Sequence, residues 1–301
     1  MQPPRLLILK RLLGHSCRAL TRLAEIRAKL PSAASESYEL QGYFVLTVST
    51  IETMLTDTYL YFLRSFPEAF DFKDVQFSKD DILSANLSLD LIEQQVEKNA
   101  IKQAYASFPE QLSRFVRALG IADPPIDLDL VERIVEVKET RNVLLHNNLR
   151  VNSLYVARAG RRRRQGASKE PLPLPQKYVL GACEDLQALI QELQDRLTSK
   201  FASYTRIAAL RRLWEYLFSS PVMLFDDFWV LDEEKDEVVA FKKGQYEEHL
   251  SNSERIFLSV WRGHFNGWRD PDAHLLMYSL DDKKRQKMLW LLSILVDFNV
   301  R

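Results

Sequence analysis

The tightest constraint on the fold lies near the middle of the chain. From Asp127 onward the apolar residues fall at Leu130, Ile134, Val137 and Leu144. This alternation of four- and three-residue steps predicts the packed seam of a helix. The seam position between Val137 and Leu144 holds Arg141. A cation on a packing seam is costly unless a partner or a bound anion neutralises it. Asn142 lies one turn before His146 and Glu139 nearly two, so the three share a helix face. Asn147-Asn148 reads as the stop, because Asn tolerates the left-handed conformation that ends helices. His146 then sits in the last turn, where the helix dipole favours a cation.

The same periodicity predicts further helices. Residues 5 to 30 form the first, stopped by Pro31, and residues 37 to 65 the second, with Phe44, Val48, Ile51, Leu55 and Phe62 inward. Phe70 to Lys79 reads as a connector, and Ser88 to Leu119 as a third helix or a broken pair. Asp127 is expected to cap the fourth, and Gln176 to Phe201 forms the fifth. Val151 to Val156 is too short for a helix by this reading and is expected to be extended. After it come Arg158, the run Arg161 to Arg164, and Pro171, Pro173 and Pro175, a basic loop expected to be flexible. The last hundred residues change in texture. Phe228 to Leu231 and Val238 to Phe241 flank an acidic turn and predict a β-hairpin. Helices are expected at 207–218, 253–265 and 281–296, an order loosely compatible with a winged helix.

The chain has 301 residues, enough for one large domain or two ordinary ones, and its 46% hydrophobic content supports a sizeable core. Lys+Arg and Asp+Glu are both 41, so any nucleic-acid site must be a local patch. Cys17 and Cys183 are the only cysteines, which excludes a disulfide scaffold and a cysteine-rich zinc site and fits a reducing cytoplasm. No apolar run is long enough to span a bilayer. Arg5, Lys10, Arg11, Arg18 and Arg22 precede the first acid, Glu25. That pattern mimics a transit peptide, but the apolar spacing runs on to Leu30 and favours a basic first helix.

Arg141-Asn142-x-x-x-His146 at the end of a long helix, followed by Asn147-Asn148, resembles the motif of the HEPN domain. Ser49 to Leu55 in the earlier helix also resembles that family, and the likeness covers residues up to about 200, two-thirds of the chain. The resemblance implies an all-α fold. A HEPN-like up-and-down bundle is expected over 1–203, and a small, mostly helical accessory domain with a hairpin near 228–241 over 204–301. It further implies a metal-independent endoribonuclease that needs no cofactor, pairs as a homodimer so that two motifs face one cleft, and is cytoplasmic. The family's habits suggest a prokaryotic toxin or anti-phage system, with an antitoxin or another defence protein as partner.

The implied chemistry is transesterification. His146 suits base or acid work, since an imidazole titrates near the operating pH. Arg141 suits the phosphorane, because a guanidinium is always charged and matches two oxygens at once. Asn142 is expected to orient the His146 ring or bind a phosphate oxygen, and Glu139 to fix tautomer or arginine pose. Five residues of ideal helix turn roughly 500°, leaving Arg141 and His146 roughly 140° apart, so they meet only if the helix ends at His146 or a second copy supplies the complement, and the resemblance implies the second. The alternative is a buried ion pair between Arg141 and a glutamate, Glu52 being the candidate, with His146 merely capping the helix. A separate alternative for the chain is a non-catalytic HEPN-like nucleotide- or RNA-binding or dimerisation module, with the arginines holding the nucleotide or RNA.

Arg158 and Arg161, Arg162, Arg163 and Arg164 are candidates for an RNA-binding arm, with a solvated loop as the equal alternative. His249, His264 and His274 lack the spacing of a zinc site. Trp261, Phe265 and Trp268 near Arg262 and Arg269 are read as core before base-stacking residues. One position departs from the family: HEPN partners of small nucleotidyltransferases carry a tyrosine two residues after the histidine, where this chain has Asn148. That argues against a nucleotidyltransferase pairing, although Tyr155 lies downstream.

Overall fold

The computed structural model describes residues 7–33, 37–66, 106–217 and 224–242, with positions 69, 94, 95 and 98 between them. These residues are mostly helical. They divide into two compact units, Leu9–Ala202 and a second comprising residues 7–8 and 203–242. The connector at 70–79, the helices expected at 253–265 and 281–296, and the His249, His264, His274, Trp261, Phe265 and Trp268 readings lie outside the described residues.

In the larger unit, helix α1 (Leu9–Lys29) buries Leu12, Ala19, Leu23 and Ile26 on one stripe and ends in a 3-10 turn at Leu30–Ser32. Helix α2 (Tyr38–Ser65) starts where the Ser37 side chain accepts from the Leu40 amide, 3.1 Å away. It buries Phe44, Val48, Ile51, Leu55 and Phe62. Buried Thr47 and Thr50 on the same helix donate to the carbonyls of Tyr43 and Leu46, so their hydroxyls need no outside partner. Helix α3 (Phe108–Ala118) ends at Gly120, whose φ of +66° is the left-handed geometry that glycine adopts without strain.

Helix α4 (Leu128–Asn147) carries the motif. The Asp127 carboxylate accepts from the Asp129 amide at 3.0 Å, and Asn148 adopts φ 47°, ψ 51°. Both ends are therefore set by local chemistry. Helix α6 (Gln176–Lys200) buries Val179, Leu186, Ile190, Leu193 and Leu197. Helices α1, α2, α4 and α6 pack on one another. Val137 joins Ile26, Leu40, Phe44, Val48 and Val179 in their core, and Leu144 packs against it half-buried.

Between α4 and α6 the structure corrects one expectation. Residues 153–158 form a short helix, α5 (Ser153–Arg158), where an extended piece was expected. Asn152 caps it by accepting from the Tyr155 amide at 2.8 Å, and Tyr155 is fully buried beside Val143, Val151 and Leu172. One cap and one buried aromatic are enough to hold a single turn that periodicity is too short to signal. The extended segments flank it instead: Val151 donates to Glu170 at 2.9 Å and Leu172 to Leu149 at 2.7 Å, closing the loop at its base.

The smaller unit contains α7 (Arg206–Leu217), the helical turn α8 (Phe225–Phe228), and strands β1 (Trp229–Asp232) and β2 (Glu237–Phe241). The strands pair antiparallel, Trp229 opposite Phe241, with an irregularity between Val230 and Leu231. Trp214 is fully buried against Phe225, Phe228 and Trp229, at ring-centre distances of 5.8, 5.0 and 6.3 Å. Asp236, in the hairpin turn at φ 56°, accepts from the amides of Arg206 and Ile207 at 2.5 and 2.9 Å. The turn thus caps the first residues of α7.

Candidate functional site

The middle turn of α4 sets the site. Every residue from Glu136 to Thr140 is buried, so the helix is enclosed on all sides there, and three of those five residues are charged. Buried charge needs partners, and the partners differ from face to face.

On the first face lies Arg141. Its Nη2 donates to Glu52 Oε1 of α2, and Lys138 Nζ lies 3.0 Å from the same oxygen. The side chains are nearly closed off: Lys138 is 10% exposed, Arg141 15% and Glu52 23%. Lys138 Nζ lies off the hydrogen-bonding direction, and neither it nor Arg141 Nε has a hydrogen-bond partner among the described residues. The seam cation is thus neutralised from α2, and a second cation, Lys138, stands beside it. Sequence reasoning missed Lys138. Its signal was its place one turn before Arg141 on the α2-facing side of the helix.

On the second face, Asn142 Nδ2 donates to Glu139 Oε2 at 3.3 Å. His146 occupies the last turn, exposed, with no hydrogen bond or ion pair among the described residues. Asn142 is joined to Glu139 and not to the imidazole. Because α4 runs on through Asn147, Arg141 and His146 stay roughly 140° apart around the axis.

The third face holds a network that helical periodicity offered no reason to expect. Glu136 Oε1 accepts from Thr140, Tyr155 and Arg164 at 2.8, 2.7 and 3.0 Å, and Oε2 accepts from Tyr178 at 2.6 Å. The Arg164 guanidinium also lies 3.7 Å from the centre of the Tyr178 ring and donates to Thr140 Oγ1. Burial and the neighbouring Glu136 carboxylate push the Tyr155 hydroxyl up to about 12 and raise Tyr178 in the same sense. Both phenols therefore donate and stay neutral at physiological pH.

The network fixes the basic loop. Arg161 pairs with Glu132, Arg162 with Asp129 and Arg164 with Glu136, so the loop lies along one acidic ridge of α4. Arg158 and Arg163 are exposed and unpaired among the described residues. The segment expected to be flexible is thus anchored at three points.

No family model, curated protein or solved structure matches the chain. The site must be read from its own geometry. Among the described residues no group of His, Cys, Asp and Glu could hold a metal ion, and no helix is long and apolar enough to cross a membrane.

Proposed function

We propose that this chain is a metal-independent endoribonuclease of the HEPN kind, acting as a homodimer. The observation that carries the reading is the contrast along one helix end. His146 is exposed and unpartnered, open to exchange protons with a substrate, while Arg141 five residues earlier is held by a carboxylate from α2. That division suits a proton-transfer group and a fixed cation. His146 takes the proton from a ribose 2′-OH. The oxygen attacks the adjacent phosphorus, the bond to the 5′-oxygen breaks, and the imidazolium so formed returns the proton to that oxygen. The products are a 2′,3′-cyclic phosphate and a 5′-hydroxyl. The angular separation of the two side chains is the reason for the homodimer: His146 of one protomer and Arg141 of its partner complete each cleft. Asn142 and Glu139 act as a pair that positions the helix end. A toxin or anti-phage setting with an antitoxin or defence partner rests on the family resemblance alone.

The test is cleavage of RNA by the full chain in excess EDTA. Activity that leaves a cyclic phosphate and is abolished in His146→Ala and Arg141→Ala supports the reading. A strict need for a divalent cation refutes it.

A second reading is favoured by the ion pairs themselves. Glu52 neutralises the charge of Arg141 through Nη2, and acids on α4 hold Arg161, Arg162 and Arg164. A non-catalytic RNA-binding or dimerisation module would use the same packing. In that case His146→Ala leaves RNA binding and any growth phenotype intact.

A further inference from the structure

The face formed by Lys138, Arg141 and Glu52 carries a charge imbalance that no other described residue resolves. Two cations face one carboxylate: Glu52 is the only acid of the described residues within ion-pair reach of either. The cluster therefore holds one excess positive charge where water is nearly excluded. Burying an uncompensated charge is expensive. The two charges of the neighbouring Glu136 face, Glu136 and Arg164, are matched and hydrogen-bonded by contrast, so the shortage is specific to this side. Two donors, Lys138 Nζ and Arg141 Nε, are fully buried and lack hydrogen-bond partners among the described residues. Two cations that share one carboxylate oxygen, each with a buried donor left unsatisfied, describe an anion site with its anion only partly supplied.

We infer that Lys138 and Arg141 form a phosphate-binding pair, and that Glu52 is the internal anion that the phosphate displaces. This deepens the endoribonuclease reading by assigning Lys138, and it rests on that reading only for the identity of the strand. A phosphodiester or free phosphate brings a negative charge and several acceptor oxygens in place of the one that Glu52 shares between two cations. The guanidinium can take two of those oxygens, and the ammonium, a compact point charge, a third. Glu52 lies 23% exposed, so its carboxylate can swing toward solvent when displaced.

The experiment is calorimetric titration of the full chain with two probes: inorganic pyrophosphate, and a short 2′-O-methyl RNA that cannot be cleaved. Binding of either probe supports the inference if Lys138→Met weakens it roughly tenfold or more, the loss of one charge-assisted hydrogen bond. Glu52→Gln should tighten it, because the competing carboxylate is gone. Pyrophosphate binding alone assigns the site to a free phosphate, and RNA binding alone to a strand. If Lys138→Met fails to fold, Lys138→Arg must retain binding and Glu52→Gln must still tighten it. Equal affinity in wild type, Lys138→Met and Glu52→Gln overturns the inference, as does binding of neither probe. The two readings fail separately. Cleavage in EDTA with Lys138-independent binding leaves the nuclease and removes this site. Lys138-dependent binding without cleavage does the reverse.

Discussion

Replacing Glu136 should be the most damaging single polar change in the larger unit. The carboxylate is 4% exposed and accepts four hydrogen bonds between 2.6 and 3.0 Å. Glu136→Ala leaves Thr140 and Tyr155, both fully enclosed, with hydroxyls that lose their acceptor, and leaves Arg164 without its counter-charge. Breaking a buried pair by removing one partner costs about 3–5 kcal/mol, and we expect a value near the middle of that range, since Arg164 is half-buried and can recruit water. Glu136→Gln keeps the shape and one carbonyl acceptor but removes the charge facing Arg164. It should cost about 2 kcal/mol, the difference between a charged and a neutral hydrogen bond partner. A double-mutant cycle with Arg164→Met should return a coupling of about 1–3 kcal/mol. Guanidinium unfolding followed by far-UV circular dichroism measures all three. No tryptophan precedes residue 203, so tryptophan emission carries no probe within Leu9–Ala202 and serves as an internal control. A loss below about 1 kcal/mol for Glu136→Ala would refute the claim that this network holds α4, α6 and the basic loop together.

Two further outcomes follow from the same geometry. The Tyr155 phenol is raised from 10 to about 12 in the folded state. The contribution is therefore complete below pH 10 and lost as pH rises toward 12, so a pH series of thermal unfolding should fall across that window, less steeply in Tyr155→Phe. In the smaller unit, Asp236→Ala should cost about 1–2 kcal/mol through the two α7 amides left uncapped, with Asp236→Asn, which keeps one acceptor oxygen of the two, recovering only part of it, as read by tryptophan emission on denaturant titration.

Much of the helical framework was legible in the residues because it is set by local rules. The stripe of α2, the Asp127 cap and the Asn148 stop each depend on neighbours within a turn or two. The hairpin was legible for the same reason: alternating residues flank a turn-forming acidic segment. The charged middle of α4 was not legible. Glu136 finds Tyr155, Arg164 and Tyr178 at separations of 19, 28 and 42 residues, and periodicity carries no record of what lies across the core. It marked Arg141 as anomalous because a cation broke an apolar seam. It passed over Glu136 and Lys138 because neither sits on that seam. Helix α5 was missed on length: one turn held by Asn152 and a buried tyrosine has no period to detect.

The two buried clusters of α4 separate architecture from function by charge balance. Around Glu136 a carboxylate meets a guanidinium, two phenols and a hydroxyl, and each carboxylate oxygen is engaged. Such a cluster is complete, and its removal should register as lost stability. Around Glu52 two cations share one oxygen, and two donors have no partner among the described residues. A fold selected for stability alone would replace Lys138 with an apolar residue, since a buried charge without a full partner is worse than none. Lys138→Met should therefore stabilise the free chain, or leave its unfolding midpoint unchanged, while removing phosphate binding. That opposition between stability and binding is the signature expected of a ligand site, and a Lys138→Met chain that both unfolds earlier and binds phosphate normally would place Lys138 among the structural residues instead.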